Sequence, residues 1–422
     1  MALSCDRSRR CIAVLLPWLL QAACVSDGPE LALSLRGRQL HERLLTLDTH
    51  LDTPASLASA GWDIMQAHQY ASDLSQVDYP RMLVGGLDGG FWAIFTPQGP
   101  RTPAGHQSAR DAALKTAVRI HEMVARNAPQ FELALRADDA AEIAARGKRV
   151  VYLSIENAYP LGHDLSLVQT FYELGVRMVG PVHFANNDLG DSSTDPKGKE
   201  WNGLSELGKG LVAEANRLGM VLDASHASDD VFDQLLALSK TPIILSHSGC
   251  KAVYDHPRNL DDARLRKLAA AGGVIQINSL SDYLIPTPDN PARKAAQQKL
   301  FADYGRLFGR DAAGRGEFAR KKREFDRKYP APRASLDDFM AHLLYALKIV
   351  GPEHVGIGAD WDGGGGVTGM EDVAHIPKIT ERLLANGYDE TSLQKIWSGN
   401  ALRVLRAAEQ GKQAAPAPAS AH

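Results

Sequence analysis

The sequence predicts an α/β fold: a closed, parallel (β/α)8 barrel of the TIM type, with a helical insertion between its seventh and eighth strands. Three observations predict it. Eight apolar, strand-like runs recur along the chain, helix-like segments separate most of them, and His or carboxylate residues gather at the carboxyl ends of the runs. Strand–helix alternation repeated this often favours a closed parallel barrel over an open sheet.

The runs are Leu44–Asp52, Gly89–Thr96, Arg149–Asn157, Arg177–Ala185, Met220–His226, Pro242–Ser248, Gly273–Ser279 and Val355–Asp362. Helical spacing fills Ala109–Arg126, Leu204–Leu218, Asp229–Ser239 and Leu260–Ala271, with Gly219 and Gly272 placed as C-caps and Ser228 before Asp229 as an N-cap. One stretch breaks the rhythm. Nearly 70 residues, roughly Asp282 to Lys348, lie between the last two runs, far more than an ordinary barrel connection. They hold a basic helical stretch, Arg293 to Arg327, then Tyr329-Pro330-Ala331-Pro332, and a final barrel helix from Leu336 onward. The insertion, about 282–334, is expected over the active-site face, its basic residues forming a solvated helix surface. The barrel is expected to run as one domain over 43–410.

The 422 residues are 44% hydrophobic and 23% charged, which allows a large core and argues against disorder. Length alone would admit two or three domains, but barrels of this kind run long as one. With 47 basic and 50 acidic residues the net charge is −3, so nothing electrostatic points to nucleic acid or an anionic membrane as partner.

The first 24 residues read as a signal peptide: Arg7, Arg9 and Arg10 precede a short apolar run, Ile12 to Ala23, too short for a membrane span. Cys24 after two alanines resembles a lipoprotein cleavage site, although Gln21 stands where a leucine is usual, and Ser8-Arg9-Arg10 resembles a twin-arginine signal. An exported protein is expected, periplasmic or lipid-anchored through Cys24, with no transmembrane span once processed. Cys5, Cys11 and Cys24 all fall in this leader. Only Cys250 remains in the body, as a small packed residue. The tail, 411–422, is Ala/Pro-rich and expected to be disordered.

In such barrels the reactive groups stand at the carboxyl ends of the strands. The first run ends with His50 and Asp52, two residues apart and so on one face of an extended chain. The third ends with Glu156, the fifth with Asp223 and His226, the sixth with His247, and the eighth with Asp360 and Asp362. Taken singly, each is more often a hydrogen-bonded core residue than a ligand. Together, His50, Asp52, Glu156, His226 and His247 form a nitrogen and oxygen donor set suited to zinc or a similar divalent ion. Five donors exceed the need of one catalytic zinc. Two metals sharing Glu156 as a bridge satisfy the count, at the roughly 3.5 Å spacing of two-metal hydrolytic sites.

These markers occur in a wider ordered set. It comprises Asp48-Thr49-His50-Leu51-Asp52-Thr53-Pro54, Gly89-Gly90-Phe91-Trp92-Ala93-Ile94-Phe95, Ile155-Glu156-Asn157, and His183-Phe184-Ala185-Asn186-Asn187. It continues through Asp223-Ala224-Ser225-His226, Ser246-His247-Ser248, Arg258-Asn259, Gly356 to Gly363, and Asn400. From about Leu44 to Gln410 the chain resembles the membrane (renal) dipeptidase family of zinc peptidases, within the amidohydrolase-like superfamily. The resemblance implies two Zn²⁺ per chain. His50 and Asp52 match ligands of the first, Glu156 the bridging carboxylate, and His226 and His247 ligands of the second. It also implies that His183 polarises the scissile carbonyl and that Arg258 clamps the substrate's terminal carboxylate. Asp360 matches the group that handles the proton of a metal-bridging water. The implied substrate is a dipeptide, with D-residues accepted at the C-terminal position, and homodimers are common in the family.

Two departures stand out. Relatives often continue Glu-Gly where this chain has Glu156-Asn157-Ala158-Tyr159, a change expected to alter the pocket wall and side-chain specificity. The insertion is also longer than in the mammalian type, which would close the pocket further. Competing readings are another amide or β-lactam hydrolase on the same site, and a non-catalytic exported binding lipoprotein that has kept the barrel. Loss of a ligand would mark the last, yet all five are present. Asp223 is a candidate orienter of a ligand histidine, Asp362 a structural acid, and Trp92 and Phe95 are expected in the core.

Overall fold

The computed structural model describes residues 33–412; the leader and nearly all of the Ala/Pro-rich tail lie outside them. Among the described residues there are ten strands: β1 Leu47–Leu51, β2 Gly89–Phe95, β3 Phe131–Leu133, β4 Arg149–Glu156, β5 Val176–Val179, β6 Val221–Leu222, β7 Ile244–Cys250, β8 Asn259–Leu260, β9 Val274–Ile277 and β10 Val355–Ile357. All ladders are parallel. One runs β1-β2-β4-β5-β6 and the other β10-β9-β7. Single bridges join them, Asp223 with Ile244 and Leu51 with Trp361, so eight strands close into a barrel. All eight expected runs are barrel strands. The short β3 and β8 flank β4 and β7 on the outside of this order.

The core has two parts, as alternation demands. Along β4, Val151, Leu153 and Ile155 join the large outer cluster, while Val150 and Tyr152 join an inner cluster. That inner cluster draws Leu47, Phe91, Met178, Val221, Ile244 and Val274 from other strands and is completed by Ala401, Leu402 and Leu405 of the C-terminal helix. It fills the barrel interior below the site. Glu156 shares the parity of Tyr152 and therefore turns inward above this plug.

Simple alternation fails at β5, where Leu153 and Ser154 of β4 pair with Val176 and Met178, and at two strands that carry site residues. Asp48 and Leu51 of β1 pair with Gly90 and Trp92 of β2, so three steps on one strand face two on the other. On β7, Leu245 and Ser248 pair with Ile275 and Ile277 of β9, with the same mismatch. Each is a bulge that carries one extra residue and reverses which side chains face inward. Leu47 lies in the inner cluster but Leu51 in the outer one, and His50 faces the site between them. His247 is turned inward by the bulge on β7.

Between β9 and β10 come a short helix, Ser281–Leu284, two longer ones, Pro291–Phe308 and Ala312–Lys328, and the barrel helix Leu336–Val350. The two longer helices build a small cluster of their own, Leu300, Phe318 and Phe325, against which Leu74, Tyr304 and Phe308 pack. Much of the basic surface is paired along the helices, as in Lys299–Asp303, Arg320–Glu324 and Lys322–Asp326. Arg315 departs from the expected solvated face. It is fully buried, donates from Nε to the Asp73 carbonyl at 2.7 Å and from Nη2 to Ser75 Oγ at 3.1 Å, and stacks 4.0 Å from the Phe308 ring. With the Ala312 N–H donating to the Ala60 carbonyl at 2.9 Å, it fastens the insertion to the segment between β1 and β2. No helix among the described residues is long and apolar enough to cross a membrane.

Arg315→Ala leaves the Ser75 hydroxyl and the Asp73 carbonyl without this donor and opens a void beside Phe308. We expect a loss of about 2–4 kcal/mol, read as faster limited proteolysis between residues 285 and 330. Unchanged cleavage would show that the insertion is held by other contacts.

Candidate active site

Glu156 ends β4 and is almost wholly buried. Its Oε1 lies 2.9 Å from His226 Nε2, 3.4 Å from His247 Nε2 and 3.6 Å from His183 Nε2, and its Oε2 lies 3.5 Å from His50 Nε2. His50 Nε2 is in turn 3.4 Å from Asp52 Oδ2. All five expected donors therefore meet in one place. By distance alone His183 and Asp360 belong with them: Glu156, His183 and His226 form one convergent triad, His50, Asp52 and Asp360 another, and His50, Glu156 and His247 a third.

The electrostatics follow from burial. Burial would push the Glu156 carboxyl up, but the charges on His50 and His183 and hydrogen bonds from His226 and His247 outweigh it and hold it well below the usual carboxylate range. Burial would lower His50, yet Glu156 and Asp52 hold it well above the ordinary imidazole value. Burial, reinforced by positive neighbours, holds His226 and His247 well below it, as the neutral imidazoles that bind metals. The Asp360 carboxyl is raised, first by burial and then by Asp52 and Glu156.

The donors fit a metal by their unmet bonding. His226 Nε2 and His247 Nε2 stand 2.9 Å apart, two imidazole nitrogens converging on one point. Neither ring nitrogen of His50 makes a close hydrogen bond, Nε2 having only the carboxylate oxygens of Asp52 and Glu156 at 3.4 and 3.5 Å, although the ring is buried. A buried imidazole left so is costly unless a ligand completes it. Gly363 gives the carboxylates room: a Cβ there would come within 2.0 Å of Asp52 Oδ2 and 2.2 Å of Asp360 Oδ1.

Arg258 is 2% exposed. Its Nη2 donates to the His247 carbonyl at 3.0 Å and lies 3.2 Å from His226 Nε2, and its Cζ sits 5.0 Å from the centre of the Tyr283 ring. Nε and Nη1 are buried and have no hydrogen-bond partner, so the guanidinium beside the donors has unsatisfied N–H groups. His183 lies just beyond β5, between Phe184 at 3.8 Å and Phe95 at 4.8 Å ring to ring. A cavity of about 500 Å³ opens over this floor.

The family model for membrane dipeptidases, Peptidase family M19, matches residues 35–419. The chain belongs to the membrane dipeptidase family. It is a metallopeptidase of the dipeptidase type. It is 28% identical over 345 residues to the dipeptidase verJ of Clonostachys rogersoniana, covering 80% of this chain and 77% of that one. The probable dipeptidase PvdM of Pseudomonas aeruginosa superposes with a TM-score of 0.75 at 30% identity, over 89% of this chain and 98% of that one. A metallo peptidase from Rhodobacter sphaeroides, solved with a phosphinate mimic of the dipeptide L-Ala-D-Ala, shares the fold at TM-score 0.68 and 24% identity, over 86% and 99% of the two chains.

Several residues of this dipeptidase carry more, or other, weight than the sequence suggests. Asp223 orients a histidine, but His247 and not its neighbour His226. Its Oδ2 accepts from Ser246 Oγ at 2.5 Å, and that hydroxyl lies 2.9 Å from His247 Nδ1. Ser246 thus links the two, and no periodicity in the sequence marks it. Asp48 accepts from the backbone N–H of His50 at 2.9 Å and of Ala359 at 3.0 Å, locking the ends of β1 and β10 together. Burial pushes its carboxyl up to about 7 against those bonds. Asp362 is structural as expected, accepting from the Gln76 N–H at 2.6 Å and Thr53 Oγ1 at 2.8 Å. Trp92 is core, whereas Phe95 also lines the cavity. Cys250 is buried, its thiol pushed up to about 12, which leaves it unreactive.

Asn157 corrects an expectation. It does not reshape the pocket wall. Its φ is +63°, a left-handed conformation that glycine or asparagine adopts readily, and its side chain turns away to donate to the Thr96 carbonyl at 2.9 Å and accept from Asn187 Nδ2 at 3.1 Å.

Ser246→Ala breaks the link between Asp223 and His247. We expect metal affinity to fall by about 10- to 100-fold, measured by competition with a chromophoric chelator at fixed pH. An unchanged affinity would show that His247 is oriented without Ser246.

Proposed function

We propose that this dipeptidase holds two Zn²⁺ ions and hydrolyses dipeptides, including those with a D-residue at the C-terminal position. The observation that carries the reading is the meeting of His50, Asp52, Glu156, His226 and His247 beside the unpartnered, buried donors of Arg258. His50 and Asp52 would serve one ion, His226 and His247 the other, and Glu156 both. When bound, such a pair supplies an acidified water and an electrophile for a carbonyl oxygen.

The chain's own residues divide the remaining work. Arg258 takes the substrate's terminal carboxylate on its unpartnered Nε and Nη1. That contact lies beside His226 and His247, so a single residue fits between the clamp and the scissile carbonyl, and the bond cleaved is the one before the C-terminal residue. His183 donates to the carbonyl oxygen as charge develops there. Asp360, beside Asp52 at the lip of β10, accepts the proton of the attacking water and returns it to the leaving amine, so one water is consumed and an acid and an amine are released. The leader supports export, with the enzyme at work in the periplasm or at the envelope.

A panel of L,L- and L,D-dipeptides with matched tripeptides, run with and without chelator, tests this reading. Chelator-sensitive cleavage confined to dipeptides is expected. Failure to cleave any of them in protein carrying two zinc ions would refute it. Asp360→Asn should lower kcat by about 10²- to 10⁴-fold with metal content unchanged, whereas Arg258→Met should act mainly on KM.

A further inference from the structure

The floor of the cavity is polar, but its roof is mostly aromatic and apolar. The two insertion helices bring Phe301, Phe308 and Phe318 to its wall, where Leu74 and Tyr70 of the β1–β2 segment also line it. Phe301 is 51% exposed, a phenyl left half in water on a cavity wall. Lys322, the cation that the insertion places there, is already paired with Asp326 at 2.6 Å. The roof therefore offers apolar contact and no free charge to a substrate side chain.

Its place in the barrel decides which end of the substrate it meets. Arg258 reaches His226, beyond β6, and the main chain of His247 on β7. The insertion is fastened on the other flank, through Arg315 and Ala312 to the segment after β1. In the closed order β1 stands across the barrel from β6. A dipeptide with its carboxylate at Arg258 and its scissile carbonyl over Glu156 extends its N-terminal residue toward β1 and the roof.

We propose that the insertion makes this enzyme selective for dipeptides whose N-terminal residue carries a bulky apolar side chain, with Phe301 and Phe308 as the specificity-determining contacts. The proposal rests on the dipeptidase reading and adds its substrate class. Covering a phenylalanine or leucine side chain in such a roof favours it over glycine by roughly 10- to 100-fold.

The test compares kcat/KM for Phe-Ala, Leu-Ala, Gly-Ala and the reversed Ala-Phe on zinc-loaded full chain, then on Phe301→Ala and Phe308→Ala. Phe-Ala should exceed Gly-Ala by about tenfold or more, mainly through KM, and Phe301→Ala should shrink that ratio several-fold. Phe301 is half-exposed, so its variant decides the matter even if Phe308→Ala folds poorly. Equal rates for Phe-Ala and Gly-Ala, a ratio untouched in Phe301→Ala, or a preference for Ala-Phe over Phe-Ala would overturn the proposal. Cleavage of no dipeptide would instead defeat the dipeptidase reading. The roof is then read by calorimetric titration of Phe-Ala and Gly-Ala into the same protein, where tighter binding of Phe-Ala that is lost in Phe301→Ala supports it and equal affinities overturn it.

Discussion

A carboxylate buried at the centre of a barrel needs compensation, and the site is organised around supplying it to Glu156. Removing such a charge from water costs several kcal/mol unless partners surround it. Here His50, His183, His226 and His247 do so, from β1, the loop after β5, the turn after β6, and β7. No two of these elements are adjacent in sequence to Glu156, so the charge is satisfied only when the barrel has closed. The donors that compensate it are also those that bind metal, which ties the closed fold to the loaded site.

Around this centre a further layer holds the ligands in aim. Asp48 ties the backbone of β1 to that of β10, and Asp223 reaches His247 through Ser246. Both acids are buried and receive donors on more than one side, the condition under which a buried carboxylate stiffens a structure. Asp362 anchors Gln76 and Thr53 and so connects the lip of β10 with the segment on which the insertion rests. The insertion, with a small core of its own, is joined to the barrel chiefly through that segment.

Much of this was legible from residues alone. The eight runs were visible because strands buried on both faces must be apolar throughout, and a barrel places their polar terminal residues at one end. The five donors and Asp360 could be named because each stands at such an end, whereas Arg258 and His183 were marked only by the resemblance to the dipeptidase family. The sequence misleads at Asn157, because it displays the identity of a side chain and not its φ. Only the backbone shows that it stands in for glycine. Ser246 and the phenylalanines of the insertion were missed because their roles depend on partners far along the chain.

The sequence by itself determined the eight barrel strands, the donor set and the existence of an insertion, since each is written in local pattern and composition, but not the short β3 and β8 that flank the barrel. Tertiary structure decided which side chains face inward at β1 and β7, where one extra residue in each strand reverses the alternation that sequence implies. It also decided that Arg315 is buried and that Phe301, Phe308 and Phe318 line the cavity. Those outcomes depend on register and docking between segments more than 240 residues apart, and no local periodicity encodes the packing of two such segments.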